Sequence, residues 1–257
     1  MTKSTSLTPE QRFSDRVDNY VRYRPRYPEQ VIEWLRSETG LAPGAVLADI
    51  GSGTGISAEA FLRLGCRVFC VEPNHAMRNA AERLLSGYPT FHSVEGTAEA
   101  TTLADHSVDL ILAAQAFHWF DAPRARAEFN RILKPSGWTA LMWNVRRVDS
   151  TPFLRAYEQL LLTFATDYAQ VRPENIGDLE LKQFFANGAY TTHLVSHEQH
   201  FDFEGLKGRL LSSSYAPTEG HPGHQPMLKE LAAIFEQYHL DGQVCFEYDT
   251  QVHISRS

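Results

Sequence analysis

The sequence predicts an α/β fold, a mostly parallel sheet that finishes in an antiparallel strand. Two observations carry this. The first half of the chain alternates short apolar runs with helical patterns, as βαβ units do. Near the C-terminus, Val244, Phe246, Tyr248, Val252 and Ile254 share one parity, which puts them on one face of a pleated strand. Such strict alternation marks an antiparallel member with one face less apolar.

The elements follow in order. Residues 45–50 form a compact apolar run that breaks at Gly51. Residues 56–64 then read as a helix closed by Gly65. A second strand is expected over 67–71, a second helix over 75–85, and a less apolar strand over 90–94. Residues 108–113 give a strongly apolar strand, and 122–133 a helix stopped by Pro135 and Gly137. A fifth strand is expected over 139–143. After Asn144 the rhythm changes. Residues 153–168 read as a long amphipathic helix, and two more are expected over 204–211 and 227–240. The whole is expected to be one domain: an N-terminal arm or lid (1–40), a ligand-binding core (41–145), and substrate-side helices with the final strands (146–257).

Composition limits the partners. Hydrophobic residues make up 43% and charged residues 21% of the 257 residues, a globular balance. The net charge of -7 repels phosphate backbones and anionic lipid. The densest basic stretch, Arg22 to Arg26, is interleaved with Tyr and Pro, so no nucleic acid or membrane partner is expected. No apolar run reaches the roughly 20 residues that span a bilayer. Residues 1–11 are polar and lack the apolar segment of a secretory signal. An odd count of 3 cysteines suits a reducing compartment, so a cytoplasmic location is expected. Cys66 and Cys70 flank a strand and read as buried thiols rather than a redox or metal pair.

The chemistry lies in Asp49-Ile50-Gly51-Ser52-Gly53-Thr54-Gly55, between a strand and a helix. Glycines let the backbone turn sharply and let a ligand approach without a Cβ in the way. The following helix presents free N–H groups. Dinucleotide-binding enzymes use a similar turn, but their GxGxxG spacing needs glycine where Ile56 stands. Asp49 at the strand end would repel a pyrophosphate yet hold an ammonium group. Glu72, at the end of the next strand, sits where an acid accepts hydrogen bonds from ribose hydroxyls.

These residues resemble motif I of class I S-adenosylmethionine-dependent methyltransferases, and Val71-Glu72-Pro73-Asn74 resembles the acidic loop that follows it. The resemblance runs over residues 46–144. It implies a Rossmann-like, seven-stranded sheet with an antiparallel last strand and helices on both faces. It implies S-adenosyl-L-methionine as cofactor and S-adenosyl-L-homocysteine as product. It would set Asp49, Gly51, Gly53 and Gly55 around the methionine part, Glu72 at the ribose and Met77 against adenine, with Ser52, Thr54, Pro73 and Asn74 also in the cofactor site. Thr97-Ala98-Glu99 resembles the loop at the adenine edge, Ala114-Gln115-Ala116-Phe117-His118-Trp119 would line the reaction site, and Leu133-Lys134-Pro135-Ser136-Gly137 resembles the turn before the fifth strand. Tyr20-Val21-Arg22-Tyr23-Arg24-Pro25-Arg26-Tyr27-Pro28, with residues 114–119, resembles the type 11-like branch that contains trans-aconitate methyltransferases, which implies a small-molecule acceptor and suggests a carboxylate.

Methyl transfer from sulfonium is an in-line displacement, so much of the catalysis comes from positioning. A carboxylate is ionised at neutral pH and needs no base. A phenol or hydroxyl would need one, and His118 is the candidate catalytic base; a wall histidine bonded to a neighbour is the competing reading. Tyr20, Tyr23, Arg24 and Tyr27, with His118 and Trp119, are the candidate substrate-binding residues, Arg24 gripping a carboxylate. A packed N-terminal arm is the bland alternative. Arg146 and Arg147, after the fifth strand, could likewise serve a substrate acid, with a solvated turn the preferred reading. No metal site is expected: His197-Glu198-Gln199-His200 is one residue short of HExxH, and His221 and His224 flank a Pro-Gly turn. No Asn-Pro-Pro-Tyr type sequence follows the fourth strand, which argues against a nucleic acid base as substrate. A monomer or homodimer is expected. Two other functions stay open: an S-adenosylmethionine sensor without turnover, and a nicotinamide-dependent oxidoreductase, which Asp49 and Ile56 speak against.

Overall fold

A computed structural model describes residues 16–169, 176–185 and 188–256; the polar start of the chain, residues 1–11, lies outside them. Five strands run parallel, and a helix carries the chain back in three of the four connections between them. They are β1 (Val46–Ile50), β2 (Arg67–Val71), β3 (Phe91–Val94), β4 (Val108–Ala114) and β5 (Leu133–Arg146). The crossover helices are α3 (Ile56–Arg63), α4 (His75–Leu84) and α5 (Ala122–Ile132). The sheet order is β3-β2-β1-β4-β5-β7-β6, with β7 (Val244–Arg256) antiparallel to both β5 and β6 (Thr191–Phe201). The seven strands and the antiparallel last strand are therefore as the resemblance implied.

Both sheet faces are covered. Along β1, Leu47 packs into one core with Phe61 of α3 and Leu110, while Ala48 and Ile50 join Ile111, Phe129 and Ile132 of α5 on the other side. A third core lies beyond the sheet edge. There α6 (Pro152–Phe164), α8 (Phe203–Leu211) and α9 (His224–Tyr238) close over Val244, Phe246 and Tyr248 of β7. Asp121, Thr151 and Asp202 each accept a hydrogen bond from a backbone amide at the start of α5, α6 and α8. Such caps stabilise by about 1 kcal/mol each. Cys66 and Cys70 are buried in the first core as apolar packing. No helix among the described residues is long and apolar enough to cross a membrane.

The structure corrects several sequence readings. The fifth strand is far longer than residues 139–143. Its start, Leu133 to Gly137, is an irregular lead-in, with Ser136 at φ +67° and a register shift against β4 between Val108 and Leu110. The helix expected over 153–168 stops at Phe164, where Ala165 turns extended. No apolar pattern marks β6, because its alternation is polar. One face is exposed, and the other carries His193, Val195, His197 and Gln199, only half-buried. The N-terminal arm forms α1 (Val17–Tyr23) and α2 (Glu29–Thr39), and α7 (Asp178–Phe184) packs Leu181 and Phe184 into the second core.

Candidate active site

The turn after β1 needs three left-handed residues, with φ +68° at Gly51, +56° at Gly53 and +82° at Gly55, where a side chain is strained. Their surroundings differ. A Cβ on Gly51 would meet that of Ala116 at 2.6 Å, and one on Gly55 would meet Leu85 at 2.5 Å. At Gly53 the nearest atom is the Tyr20 hydroxyl at 3.9 Å, so that position keeps the turn bare toward the site. The turn is tied to β2, since the amides of Gly51 and Ser52 both donate to the Val71 carbonyl.

Asp49 is fully buried beneath this turn. Its Oδ2 accepts from the Ser57 hydroxyl at 2.6 Å, while Oδ1 has no partner. Burial pushes its carboxyl up to about 7 against the opposing Ser57 hydrogen bond, and the Glu72 charge adds to the rise. The Ser52 and Thr54 hydroxyls are likewise buried without partners. Glu72 ends β2. Its two oxygens accept from the amides of Gly53 (2.9 Å) and Asn74 (2.8 Å), which locks turn to acidic loop. Asn74 in turn caps α4 through the Met77 amide.

A cavity of about 800 Å³ opens beside these groups, with Gly53, Glu72, Met77 and Ala98 among its walls. Pro73, Asn74, Thr97, Glu99, Ala114 and Gln115 also border it. Asp49, Thr54 and Gly55 do not reach its surface; Asp49 and Gly55 shape the turn from behind. The residues fit S-adenosylmethionine: orphaned buried oxygens stand under a bare turn, with an acid and an apolar wall beyond it.

A second cavity of about 1080 Å³ adjoins the first, and Tyr20, Gly51, Ala114, Gln115 and Trp119 border both. Gln115 follows β4 with φ +59°, a conformation uncommon for a side-chain-bearing residue. Its amide nitrogen donates to the Asn144 carbonyl at 3.0 Å, so the loop after β4 is pinned to β5. Tyr27, His118 and Trp119 line this cavity as the sequence suggested, together with Tyr20 and Arg24. Tyr23 does not. Its ring lies on α8 at Gly208, where a Cβ would fall 2.0 Å from the ring, so Tyr23 fixes the arm and faces away from the cavity.

The charges in this cavity are mostly cationic. Arg24 is stacked 5.0 Å from the Tyr20 ring and donates from Nη2 to the Ser212 carbonyl, leaving Nε without a partner. Arg209 donates only to the hydroxyls of Tyr248 (3.2 Å) and Ser213 (3.1 Å). Neither has a carboxylate partner among the described residues. Burial and the Arg209 charge both hold Arg24 below the usual arginine range. Arg146 is also buried, paired with Glu158 at 2.6 Å, and lines the cavity. The solvated-turn reading therefore fails for Arg146, which β5 carries past its expected end; Arg147 is the more exposed of the pair and binds Asp249. Arg209 carries no sequence signal as a site residue, because it sits in a helix read only for its packing, whereas Arg146 lies where a substrate acid is one of the two readings.

His118 presents Nδ1 without a partner. Burial, with the Arg24 charge adding, pushes its imidazole down to about 4, so it is neutral at physiological pH and a poor proton acceptor.

Comparison with known proteins agrees with this geometry. A family model described as a methyltransferase domain matches residues 48–141. An uncharacterised methyltransferase of Mycobacterium bovis is 38% identical over 134 residues, 52% of either chain. One from Schizosaccharomyces pombe is 32% identical over 154 residues, 58% of either chain. The chain thus spans about half the length of these relatives. A malonyl-[acyl-carrier protein] O-methyltransferase from Methylovorus is 28% identical over 223 residues, covering 81% of this chain and 74% of its own. Among solved structures, a chain from Anaeromyxobacter dehalogenans designated a type II methyltransferase superposes with a TM-score of 0.65 at 23% identity, over 91% of this chain and 98% of that one. The [4+2]-cyclase SpnF shares the fold as well, with a TM-score of 0.58 at 16% identity over 98% and 97%. Fold alone therefore leaves the reaction to the site. Residues 48–141 thus match a methyltransferase-domain family model, and the chain shares its fold with solved methyltransferase structures.

Proposed function

We propose that this protein methylates a small anionic acceptor from S-adenosylmethionine, and that the acceptor atom is a carboxylate oxygen. The observation that carries this is the pair Arg24 and Arg209 in the wall of the second cavity, Arg24 half-buried and Arg209 buried, with no carboxylate partner among the described residues. A buried charge without a counterion is costly, and an anionic ligand removes that cost. When bound, the cofactor supplies an electrophilic methyl group on sulfonium. The chain's part is to hold the acceptor. Asp49 and Glu72 with the glycine turn would fix the cofactor, and the wall of Tyr20, Ala114, Gln115 and Trp119 joins the two cavities where the groups meet. Positioning alone supplies much of the rate in such a displacement. A carboxylate needs no base, which agrees with a His118 too weakly basic to deprotonate an alcohol. His118 is then a neutral wall residue that can donate or accept one hydrogen bond. The O-methyltransferase among the similar proteins is consistent with an oxygen acceptor.

The test is transfer of isotope-labelled methyl groups to a panel of acids, phenols and amines, followed by mild alkali. Label released as methanol identifies an ester and supports the proposal. Alkali-stable label identifies an ether or amine and overturns the carboxylate. Tight cofactor binding with no transfer to any acid likewise removes the acceptor assignment.

A further inference from the structure

The strand missed in the sequence carries a second site. β6 and β7 pair so that His200 stands directly across from Cys245, and Glu198 directly across from Glu247. Side chains alternate along a strand, so Glu198 and His200 share one face of β6, and Cys245 and Glu247 the facing positions of β7. At these positions that face of the hairpin is open, with Glu198 and His200 exposed and Cys245 half-buried. The opposite face, with Phe246 and Tyr248, is packed under the helices. One ligand atom each from Glu198, His200 and Cys245 lies within 4.8 Å of the others, and His200 Nε2 is 3.5 Å from Glu198 Oε2. Ligand atoms in a tetrahedral zinc site are roughly 3.3–3.8 Å apart, given the usual bond lengths. Solvent-facing side chains close that difference by small rotamer changes, while the two strands fix their origins.

A second observation points the same way. Glu198 opposes Glu247 across the ladder, and like charges so placed repel. Two places further, Asp249 adds a third carboxylate, and among the described residues Arg147 is the one cation that reaches this row, at 2.7 Å from Asp249 and 3.6 Å from Glu247. Among those residues Glu198 then has no basic partner except His200. We propose that Glu198, His200 and Cys245 bind a zinc-type divalent cation on the open face of the β6–β7 hairpin, outside both cavities. The donor set is thiolate, imidazole and carboxylate, which zinc accepts together and which calcium or magnesium would not choose. Glu247 or water would complete four ligands.

The segment of His197 and His200 is a strand and not a helix, and His197 faces the other way, stacked on Tyr248 and 3.2 Å from the Asn144 amide oxygen. The same strand geometry makes Glu198 and His200 neighbours and brings Cys245 to them from 45 residues along the chain. The bound ion would tie edge strand β6 to β7. It would also displace the thiol proton, so affinity should rise with pH.

Cobalt(II) is the probe, added to the full-length metal-free chain. The expected result is one equivalent bound with a thiolate-to-cobalt charge-transfer band, displaced by zinc. Cys245→Ser should abolish the band, and His200→Ala or Glu198→Gln should weaken binding by about 10- to 100-fold. Cys66→Ala should change nothing. In the unmodified chain, zinc should shield Cys245 from alkylation, read by mass spectrometry. No band, a band that survives Cys245→Ser, or loose binding indifferent to all three positions overturns the site. Methyl transfer plays no part in these readings.

Discussion

The two cavities are built by different means. The cofactor side is made of backbone: three glycines, a turn tied to β2, and an acid that grips two amides, all within residues 49–77. The second cavity, the proposed acceptor side, is made of long side chains drawn from α1, β5, α8 and the loop after β4. Backbone sites are written in consecutive residues because the turn itself is the binding element. Side-chain sites are assembled by tertiary packing, and no local pattern marks their members. The first kind suits a ligand shared by a whole fold, the second an acceptor peculiar to one protein.

That contrast can be broken by mutation. Arg209→Met should lower kcat/KM for an acid acceptor by about a hundredfold or more while cofactor affinity stays unchanged, since removing a buried charge contact costs 2–5 kcal/mol. Steady-state kinetics with separate cofactor titration checks this; a parallel loss of cofactor binding would return Arg209 to a structural role. Glu72→Ala should weaken S-adenosylmethionine binding by about 10- to 100-fold. It should also lower the apo Tm, because the Gly53 and Asn74 amides lose their acceptor. Titration calorimetry and thermal unfolding read the two effects separately. Glu72 therefore holds the turn as well as facing the ligand.

Asp49 offers a pH test. Its folded value, pushed up to about 7, lies above that of an unfolded aspartate. Ionisation is thus disfavoured in the folded chain, so its share of apo stability is full at low pH and is lost as pH rises toward and through 7. Asp49→Asn should accordingly stabilise the cofactor-free protein at pH 8, on the order of 2–4 kcal/mol from a rise of about three units. Denaturant unfolding at pH 5 and pH 8 would show it; equal effects at both would disprove the burial argument. The smallest effect is expected at His118. Because it is neutral down to about pH 4, the rate should show no inflection near 6.5, and His118→Asn should cost less than about tenfold.

The sequence made most of the cofactor side legible. The run from Asp49 to Gly55 and the acid at 72 carry their own logic, and each is where the fold needs it. It was less informative on the other side. Arg24 could be read because Tyr and Pro surround it in an unusual arm, whereas Arg209 lies inside an unremarkable amphipathic helix and Arg146 beyond the strand's apolar stretch. Tyr23 misled for the same reason that Tyr20 did not: they sit three residues apart in one helix, and only packing decides which ring turns to the cavity and which to Gly208. β6 was missed because a strand at the sheet edge has no need of an apolar face.

Tyr20 has one more consequence. It belongs to α1, which Arg16 fastens to the end of α8 through the carbonyls of Leu211, Ser213 and Ala216. Since this one ring borders both cavities, any swing of α1 that frees one spent product also unroofs the other.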